Sequence, residues 1–146
     1  MSDISNNKIC IIDYGVGNLL SVKRSLEFFG AETIITNDKE KILSSPKVIL
    51  PGVGAFKKAM NLIKKYNLNN IIREVADKKI PLLGICLGMQ LLFEESYEFG
   101  KAEGLGLIEG TIEKLPEKSE NETIKIPSIS CDKKLIRKER FRICLS

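Results

Sequence analysis

Histidine and tryptophan are both absent from the 146 residues, and only 6% of the residues are aromatic. Histidine is the side chain that proteins use most often as a general base, so no Cys–His or Ser–His pair can form within these residues. Aromatic side chains are also too few to be interleaved along a nucleic-acid-binding surface. Any general base among these residues must therefore be Lys, Asp or Glu.

Long apolar runs are lacking too. No stretch approaches the roughly 20 apolar residues of a membrane-spanning helix, and residues 1–8 lack the basic-then-apolar pattern of a secretory signal. The spacing of the four cysteines suits neither a zinc site nor a disulfide framework; they are Cys10, Cys86, Cys131 and Cys144. We therefore expect a cytoplasmic chain with reduced thiols and without metal, cofactor or membrane contact.

The composition that is present is typical of a globular domain, with 43% hydrophobic and 29% charged residues and a net charge of +4. Its length suits one domain over residues 1–146 with a sizeable core. Residues 133–142 contain six basic side chains against one acid, Glu139, and their only aromatic residue is Phe141. This pattern favours a solvated tail over a nucleic-acid site.

Apolar segments that suit strands alternate with segments of helical periodicity. Strands are predicted at 8–14, 32–36, 47–50 and 81–85, with a later strand-like segment at 104–115. Helices are predicted at 19–29, 38–43, 55–65, 69–78 and 89–97, the first capped by Asn18 and ended by Gly30. The alternation predicts an α/β fold with a mostly parallel sheet and helices on both faces.

Residues 84–90 read Gly-Ile-Cys-Leu-Gly-Met-Gln directly after an apolar strand. The spacing Gly84-x-Cys86-x-Gly88 is that of a nucleophile elbow, in which a buried strand turns sharply into a helix. A helix N-terminus beside Cys86 would favour the reactive thiolate. The alternative is that Cys86 is a small buried core residue, and the spacing alone does not separate the two.

A cysteine nucleophile also needs N–H donors for the developing oxyanion. The N–H of Leu87, directly after Cys86, is one candidate. A second could come from the turn Pro51-Gly52-Val53-Gly54 at the carboxyl end of a neighbouring strand, the edge at which such sheets bind ligands. Read alone, the turn could equally be a tight connection without a chemical role.

Four segments in order carry a resemblance to a known family: Ile12-Asp13-Tyr14-Gly15-Val16-Gly17-Asn18-Leu19, Pro51-Gly52-Val53-Gly54-Ala55-Phe56, residues 84–96 and residues 104–110. Together they resemble the class I (triad) glutamine amidotransferases, and within them the glutaminase subunits of imidazole glycerol phosphate synthase from histidine biosynthesis. The resemblance covers residues 8–127. It implies an amidotransferase-like fold with a flavodoxin-like core.

The resemblance also implies roles for particular residues. Cys86 would attack the side-chain amide of glutamine, releasing ammonia and leaving a glutamyl thioester for water to hydrolyse. Val53, after a peptide rearrangement, and Leu87 would donate their N–H groups to the oxyanion. Gly52, Gln90 and Glu98 would bind the substrate. Without the resemblance, Gln90 reads as an exposed helical residue and Glu98 as a solvated helix end.

A partner is implied as well. In this family ammonia passes to a (β/α)8-barrel cyclase subunit, so the resemblance predicts a heterodimer. The loop at residues 15–18 would lie near that interface. Read alone, the loop is a turn with a helix cap.

The sequence departs from the family after Pro127. The family has a His-x-Glu motif that supplies the base and its orienting carboxylate, and a His-x-Gly-Trp-Asn-like stretch where this chain has residues 128–132. We therefore expect a truncated or frameshifted C-terminus, with an aberrant tail at 128–146 and an exposed sheet edge. We also expect a weak or inactive glutaminase, because loss of a triad member costs on the order of 10⁴-fold.

Other interpretations remain open on the sequence. The subunit could supply ammonia for surface-sugar amination instead of histidine biosynthesis. It could be a non-catalytic module that docks on the cyclase, or a gene remnant whose product does not accumulate. An unrelated cysteine hydrolase would need a Lys, Asp or Glu base, and no residue stands out for that role.

Overall fold

The computed structural model describes residues 7–113 and the backbone of two later strands. The strands are β1 Lys8–Ile12, β2 Glu32–Thr36, β3 Val48–Gly52, β4 Leu82–Cys86, β5 Phe93–Ser96, β6 Ala102–Glu103, β7 Ile108–Ile112, β8 Ile136–Lys138 and β9 Phe141–Ile143. The helices are α1 Leu19–Phe28, α2 Lys39–Leu43, α3 Phe56–Lys65, α4 Leu68–Asp77 and α5 Leu87–Gln90.

Four parallel strands form the main sheet in the order β2-β1-β3-β4. Across the sheet, the connection from β1 to β2 runs in one direction, and the connections from β2 to β3 and from β3 to β4 run in the opposite direction. Right-handed connections therefore place α1 on one face of the sheet and α2, α3 and α4 on the other. The carboxyl ends of β1, β3 and β4 meet at one edge, as the sequence predicts, and this edge carries the candidate site.

The core lies mainly between the sheet and the two helices α3 and α4. Each helix buries apolar residues at helical spacing, and α3 turns its lysines to solvent. The buried set on these helices is Phe56, Ala59, Met60, Ile63, Leu68, Ile72 and Val75. Helix α1 has no fully buried residue. Asn18 caps its N-terminus, and the Asn18 side-chain oxygen accepts a hydrogen bond from the Ser21 N–H at 3.3 Å.

The predicted helix at 89–97 is wrong. Helix α5 ends at Gln90, and residues 93–96 form β5 in a second sheet of order β6-β5-β7. The physical reason is that the carbonyls of residues 91–94 accept hydrogen bonds from a distant segment instead of from the next helical turn. Leu105 N–H donates to Leu91 at 2.9 Å, and Gly104 N–H donates to Glu94 at 2.7 Å.

The later predicted strand at 104–115 is shorter in the structure, because 104–107 bond to residues 91–94 and the strand β7 begins only at Ile108. In the predicted tail, β8 and β9 form an antiparallel pair. The sequence at 125–127 also predicts the entry to a strand. Those residues and the remaining residues of the tail lie outside the described residues. In the described part of the chain, no helix has both the length and the apolar character needed to cross a membrane.

Candidate active site at a strand-to-helix elbow

Cys86 lies at the point where β4 ends and α5 begins, with φ 54° and ψ −122°. This conformation is that of the first central residue of a type II′ turn, which glycine normally occupies, so it is strained for cysteine. The side chain is exposed, whereas Cys10 is fully buried. Cys86 therefore does not serve as a core residue, and its thiol is open to a small molecule.

Two glycines allow the elbow to pack this tightly. A Cβ atom on Gly88 would lie 1.9 Å from the carbonyl oxygen of Leu50 in β3. A Cβ atom on Gly84 would lie 2.5 Å from the Cα atom of Met89. Any side chain at either position would push α5 away from the sheet, so the glycines hold the start of α5 against β3 and β4.

The glycine turn at 51–54 lies directly beside the elbow. Gly52 pairs with Cys86 in the register of β3 and β4, and its Cβ position lies 2.7 Å from the backbone nitrogen of Gly88. Val53 follows with its side chain 51% exposed, and Gly54 has φ +90° with no atom within 4 Å of its Cβ position. The structure thus brings Gly52, Val53, Cys86 and Leu87 together.

The other two predicted substrate residues occupy different places. Gln90 is the last residue of α5 and is half-buried, one helical turn after Cys86. Glu98 is half-buried in the connection between β5 and β6, where its N–H donates to Ser96 Oγ at 3.3 Å. The structure thus places Gln90 one helical turn from Cys86 and Glu98 in the connection between β5 and β6.

The loop at residues 15–18 follows β1 and reaches the same edge of the sheet. Gly15 and Gly17 have φ of +89° and +128°, and Asp13 Oδ1 accepts a hydrogen bond from the Gly15 N–H at 2.9 Å. The Cβ position of Gly17 is 3.9 Å from Pro51 Cγ. The loop therefore borders the glycine turn.

Tyr14 is the residue of this site to which the sequence analysis gave no role. Its side chain is fully buried, and its hydroxyl donates to the carbonyl oxygen of Pro51 at 2.8 Å. Burial, and then the negative charge of Cys86, raise the pKa of Tyr14 to about 12. The available signal was a tyrosine at the carboxyl end of the strand predicted at 8–14, at the edge where ligands bind.

Carboxyl groups with a lowered pKa are found away from the elbow. Hydrogen bonds from lysines are the main cause in each case: Lys23 for Glu27, Lys39 for Glu74 and Lys101 for Glu95. These are exposed ion pairs, and none belongs to the elbow or the glycine turn. Within the part of the chain that the structure describes, no group of three His, Cys, Asp or Glu side chains could hold a metal ion.

The site can be compared with known proteins. Residues 10–142 match the family model described as "Glutamine amidotransferase class-I". The chain is 52% identical over 132 residues to a Bacillus cereus (strain G9842) protein named "Imidazole glycerol phosphate synthase subunit HisH", covering 90% of this chain and 60% of that protein. A Bacillus anthracis protein of the same name is 53% identical over 107 residues, covering 73% of this chain and 51% of the relative.

A solved structure titled "Crystal structure of glutamine amidotransferase" shares the fold with a TM-score of 0.61 at 23% identity, over 71% of this chain and 55% of that one. The chain thus spans about 60% of the length of the first curated relatives that it matches. The family match extends over most of the chain, and the elbow, the glycine turn and all but the first two residues of the parallel sheet fall within it. The chain belongs to the class-I glutamine amidotransferase family.

Proposed function

We propose that this chain is the glutaminase part of an imidazole glycerol phosphate synthase and that Cys86 is its nucleophile. The observation that carries the proposal is the pairing of Gly52 with Cys86, which sets a glycine turn beside an exposed thiol on a strained elbow. A strained conformation that surrounding structure maintains is typical of a functional position. The printed names of the curated relatives favour this synthase over surface-sugar amination.

The proposed reaction has two covalent steps. The Cys86 thiol gives up its proton as its sulfur bonds to the side-chain carbonyl carbon of glutamine. The carbon–nitrogen bond then breaks, and the leaving nitrogen takes up that one proton to become ammonia. Water then adds to the thioester, which releases glutamate and returns the thiol. The N–H groups of Val53 and Leu87 stabilise the oxyanion of both tetrahedral intermediates, while Gly52, Gln90 and Glu98 bind glutamine.

The proposed partner is a (β/α)8-barrel cyclase that receives the ammonia in the cytoplasm. The loop at 15–18 supports this position, since it borders the glycine turn at the open edge of the sheet. A partner that covers this edge would shield the ammonia from solvent as it leaves Cys86. No cofactor enters the proposed reaction.

A second candidate is a module that binds the cyclase without hydrolysing glutamine. The observation in its favour is that none of the 146 residues is histidine. Without a histidine, no imidazole takes the proton of the Cys86 thiol as it attacks. We propose that a polypeptide of these residues alone turns glutamine over on the order of 10⁴-fold more slowly than an amidotransferase with a complete triad.

The test uses the 146-residue polypeptide and the chloromethyl ketone analogue of glutamine. We expect the analogue to alkylate Cys86, with glutamine protecting against it, as read by mass spectrometry of the intact chain. Cys86→Ala should abolish the protected reaction. Cys10→Ala is the matched control, because Cys10 is buried in β1 and should leave the reaction unchanged.

Each result separates the candidates. Alkylation of Cys86 that glutamine does not slow would contradict a glutamine site. Glutamine-protected alkylation with ammonia release near the rate of complete enzymes would contradict the low turnover proposed for these residues alone. Protected alkylation, no ammonia release and retained binding to a purified cyclase would favour the docking module.

A further inference from the structure

Tyr14 makes contacts that a simple core residue would not need. It lies two residues beyond β1, yet its hydroxyl reaches across to β3 and donates to the Pro51 carbonyl at 2.8 Å. The same hydroxyl lies 2.6 Å from the Cβ position of Gly52. Tyr14 therefore contacts both residues of the Pro51–Gly52 peptide, and Gly52 is the residue that pairs with Cys86.

The segment after Gly52 has little support of its own. Val53 is half-exposed, and the Cβ position of Gly54 has no atom within 4 Å. The last group before the turn that is held by a side chain is thus the Pro51–Gly52 peptide, whose carbonyl accepts the hydrogen bond from Tyr14. The direction of the following Val53 N–H depends on how that peptide is held, because the two groups are separated by only the backbone of Gly52.

The electrostatics agree with this geometry. Burial and the nearby charge of Cys86 keep the pKa of Tyr14 far above neutral, so its hydroxyl stays protonated and continues to donate. A hydroxyl that remained a donor after Cys86 ionised would hold the turn in place at the moment of attack. Among the described residues, Tyr14 is the tyrosine whose hydroxyl donates to this peptide, whereas the Tyr97 hydroxyl donates to Glu95 and Tyr66 is 42% exposed.

We propose that Tyr14 is a positioning residue, whose hydroxyl holds the Pro51–Gly52 peptide so that the Val53 N–H meets the oxyanion formed at Cys86. The inference rests on the proposed glutaminase function and adds a residue to it. Tyr14 touches neither substrate nor the reacting atoms in this scheme. It acts through the backbone of Gly52.

The experiment compares two reagents on Tyr14→Phe, a change that removes only the hydroxyl. The Cys86 thiolate adds to the ketone carbon of the chloromethyl ketone analogue of glutamine and forms an oxyanion. The sulfur then displaces chloride from the adjacent methylene carbon, and the bond between sulfur and the carbonyl carbon breaks as the ketone re-forms. Iodoacetamide alkylates the same thiol by direct displacement of iodide and forms no oxyanion. The Tyr66→Phe variant is the matched control, because Tyr66 directly follows α3, is 42% exposed, and places its hydroxyl 4.0 Å from the Cβ position of Gly15 instead of on the Pro51–Gly52 peptide.

We expect Tyr14→Phe to slow the glutamine analogue about tenfold, the effect of one misplaced hydrogen bond. Iodoacetamide should react within about twofold of the unaltered chain, and Tyr66→Phe should change neither rate. Equal slowing of both reagents would mean a general loss of packing at the elbow, and no slowing of either would mean that the hydroxyl is unnecessary. Both results would overturn the proposal.

A second measurement covers the case in which Tyr14→Phe does not fold. In a Tyr66→Phe/Tyr97→Phe background, fluorotyrosine would occupy position 14 alone. Its fluorine resonance should shift when the glutamine analogue modifies Cys86, and an unchanged resonance would overturn the role of Tyr14. Failure of the proposed function would look different, because the unaltered chain would then show no glutamine protection of Cys86.

Discussion

At the scale of single residues, Cys86 holds its thiol on a backbone conformation that L-amino acids rarely adopt. Its φ of 54° with ψ of −122° suits glycine, so the side chain is held there against a local preference. The strain is maintained because Gly84 and Gly88 let the elbow pack directly on its own strand and on β3. The result is an exposed thiol at a fixed position beside Gly52.

This strain predicts an unusual order of stability at position 86. Cys86→Gly should be more stable than Cys86→Ala by about 1–2 kcal/mol, because glycine adopts the positive φ without strain. Urea unfolding followed by circular dichroism measures the difference. Ala59→Gly in α3 is the control, and it should lose about 1 kcal/mol as glycine does in ordinary helices. An alanine variant at 86 that equals or exceeds the glycine variant would show that the elbow is unstrained.

At the scale of elements, the short helix α5 and the strand β5 depend on the segment at 104–108. Its N–H groups bond to the carbonyls of residues 91–94, and these bonds stop the helix from continuing. The contact is close at Gly104, whose Cβ position lies 2.1 Å from the carbonyl oxygen of Phe93. A side chain at position 104 would therefore clash with the backbone of Phe93 and separate the two segments.

Gly104→Ala should therefore destabilise the chain by about 3 kcal/mol, since a methyl group there must displace backbone rather than a flexible side chain. Gly106→Ala is the matched control two residues along. Its Cβ position is open and its φ is +64°, so we expect only the conformational cost of about 1 kcal/mol. Denaturant unfolding of both variants gives the comparison, and similar losses for the two would contradict a steric role for Gly104.

The same elements show what could be predicted from the sequence. The strands β1 to β4 and the helices α1 to α4 follow from local patterns, apolar runs, caps and glycine stops, and all were predicted close to their places. The length of α5 could not be predicted, because it is decided by hydrogen bonds to a segment more than ten residues later. Local periodicity carries no information about such partners.

The candidate site, too, could be predicted from the sequence only in part. The juxtaposition of the elbow and the glycine turn followed from topology, since parallel neighbouring strands end at one edge. The hydrogen bond from Tyr14 to Pro51 could not be predicted in this way, because the two residues are 37 positions apart and a side-chain hydrogen bond produces no periodic pattern in the sequence. The predicted role of Glu98 stays a prediction.

At the scale of the whole molecule, β1 lies between β2 and β3, and two buried weak acids, Cys10 on β1 and Tyr14 two residues beyond it, are kept protonated by folding. Burial raises the pKa of Cys10 from its ordinary value of 9.0 to about 11, and that of Tyr14 rises from 10.0 to about 12. The folded chain therefore holds both protons more tightly than the unfolded chain does. Its stability should fall once the pH exceeds the unfolded values.

As the pH rises, the stabilising contribution of Cys10 is lost before that of Tyr14. Its contribution is fully present below pH 9 and is lost as the pH rises through about 11, which amounts to about 1.4 kcal/mol by pH 10. Cys10→Ala should be about 1 kcal/mol less stable than the unaltered chain at pH 7, through lost contacts in the core. Because the alanine cannot ionise, the two chains should become about equally stable near pH 10.

Urea unfolding under reducing conditions at several pH values from 7 to 10 measures this convergence. Ile12→Val is the control, because it removes one methylene group from the same buried strand without removing an ionisable group. Its deficit should stay at about 1 kcal/mol across the range. Parallel stability curves for Cys10→Ala and the unaltered chain would mean that the thiolate is tolerated inside the fold. In that case the loss of stability at alkaline pH would have to come from ionisation of Tyr14, in the higher range between pH 10 and 12. That ionisation would remove the hydroxyl proton that Tyr14 donates to the glycine turn.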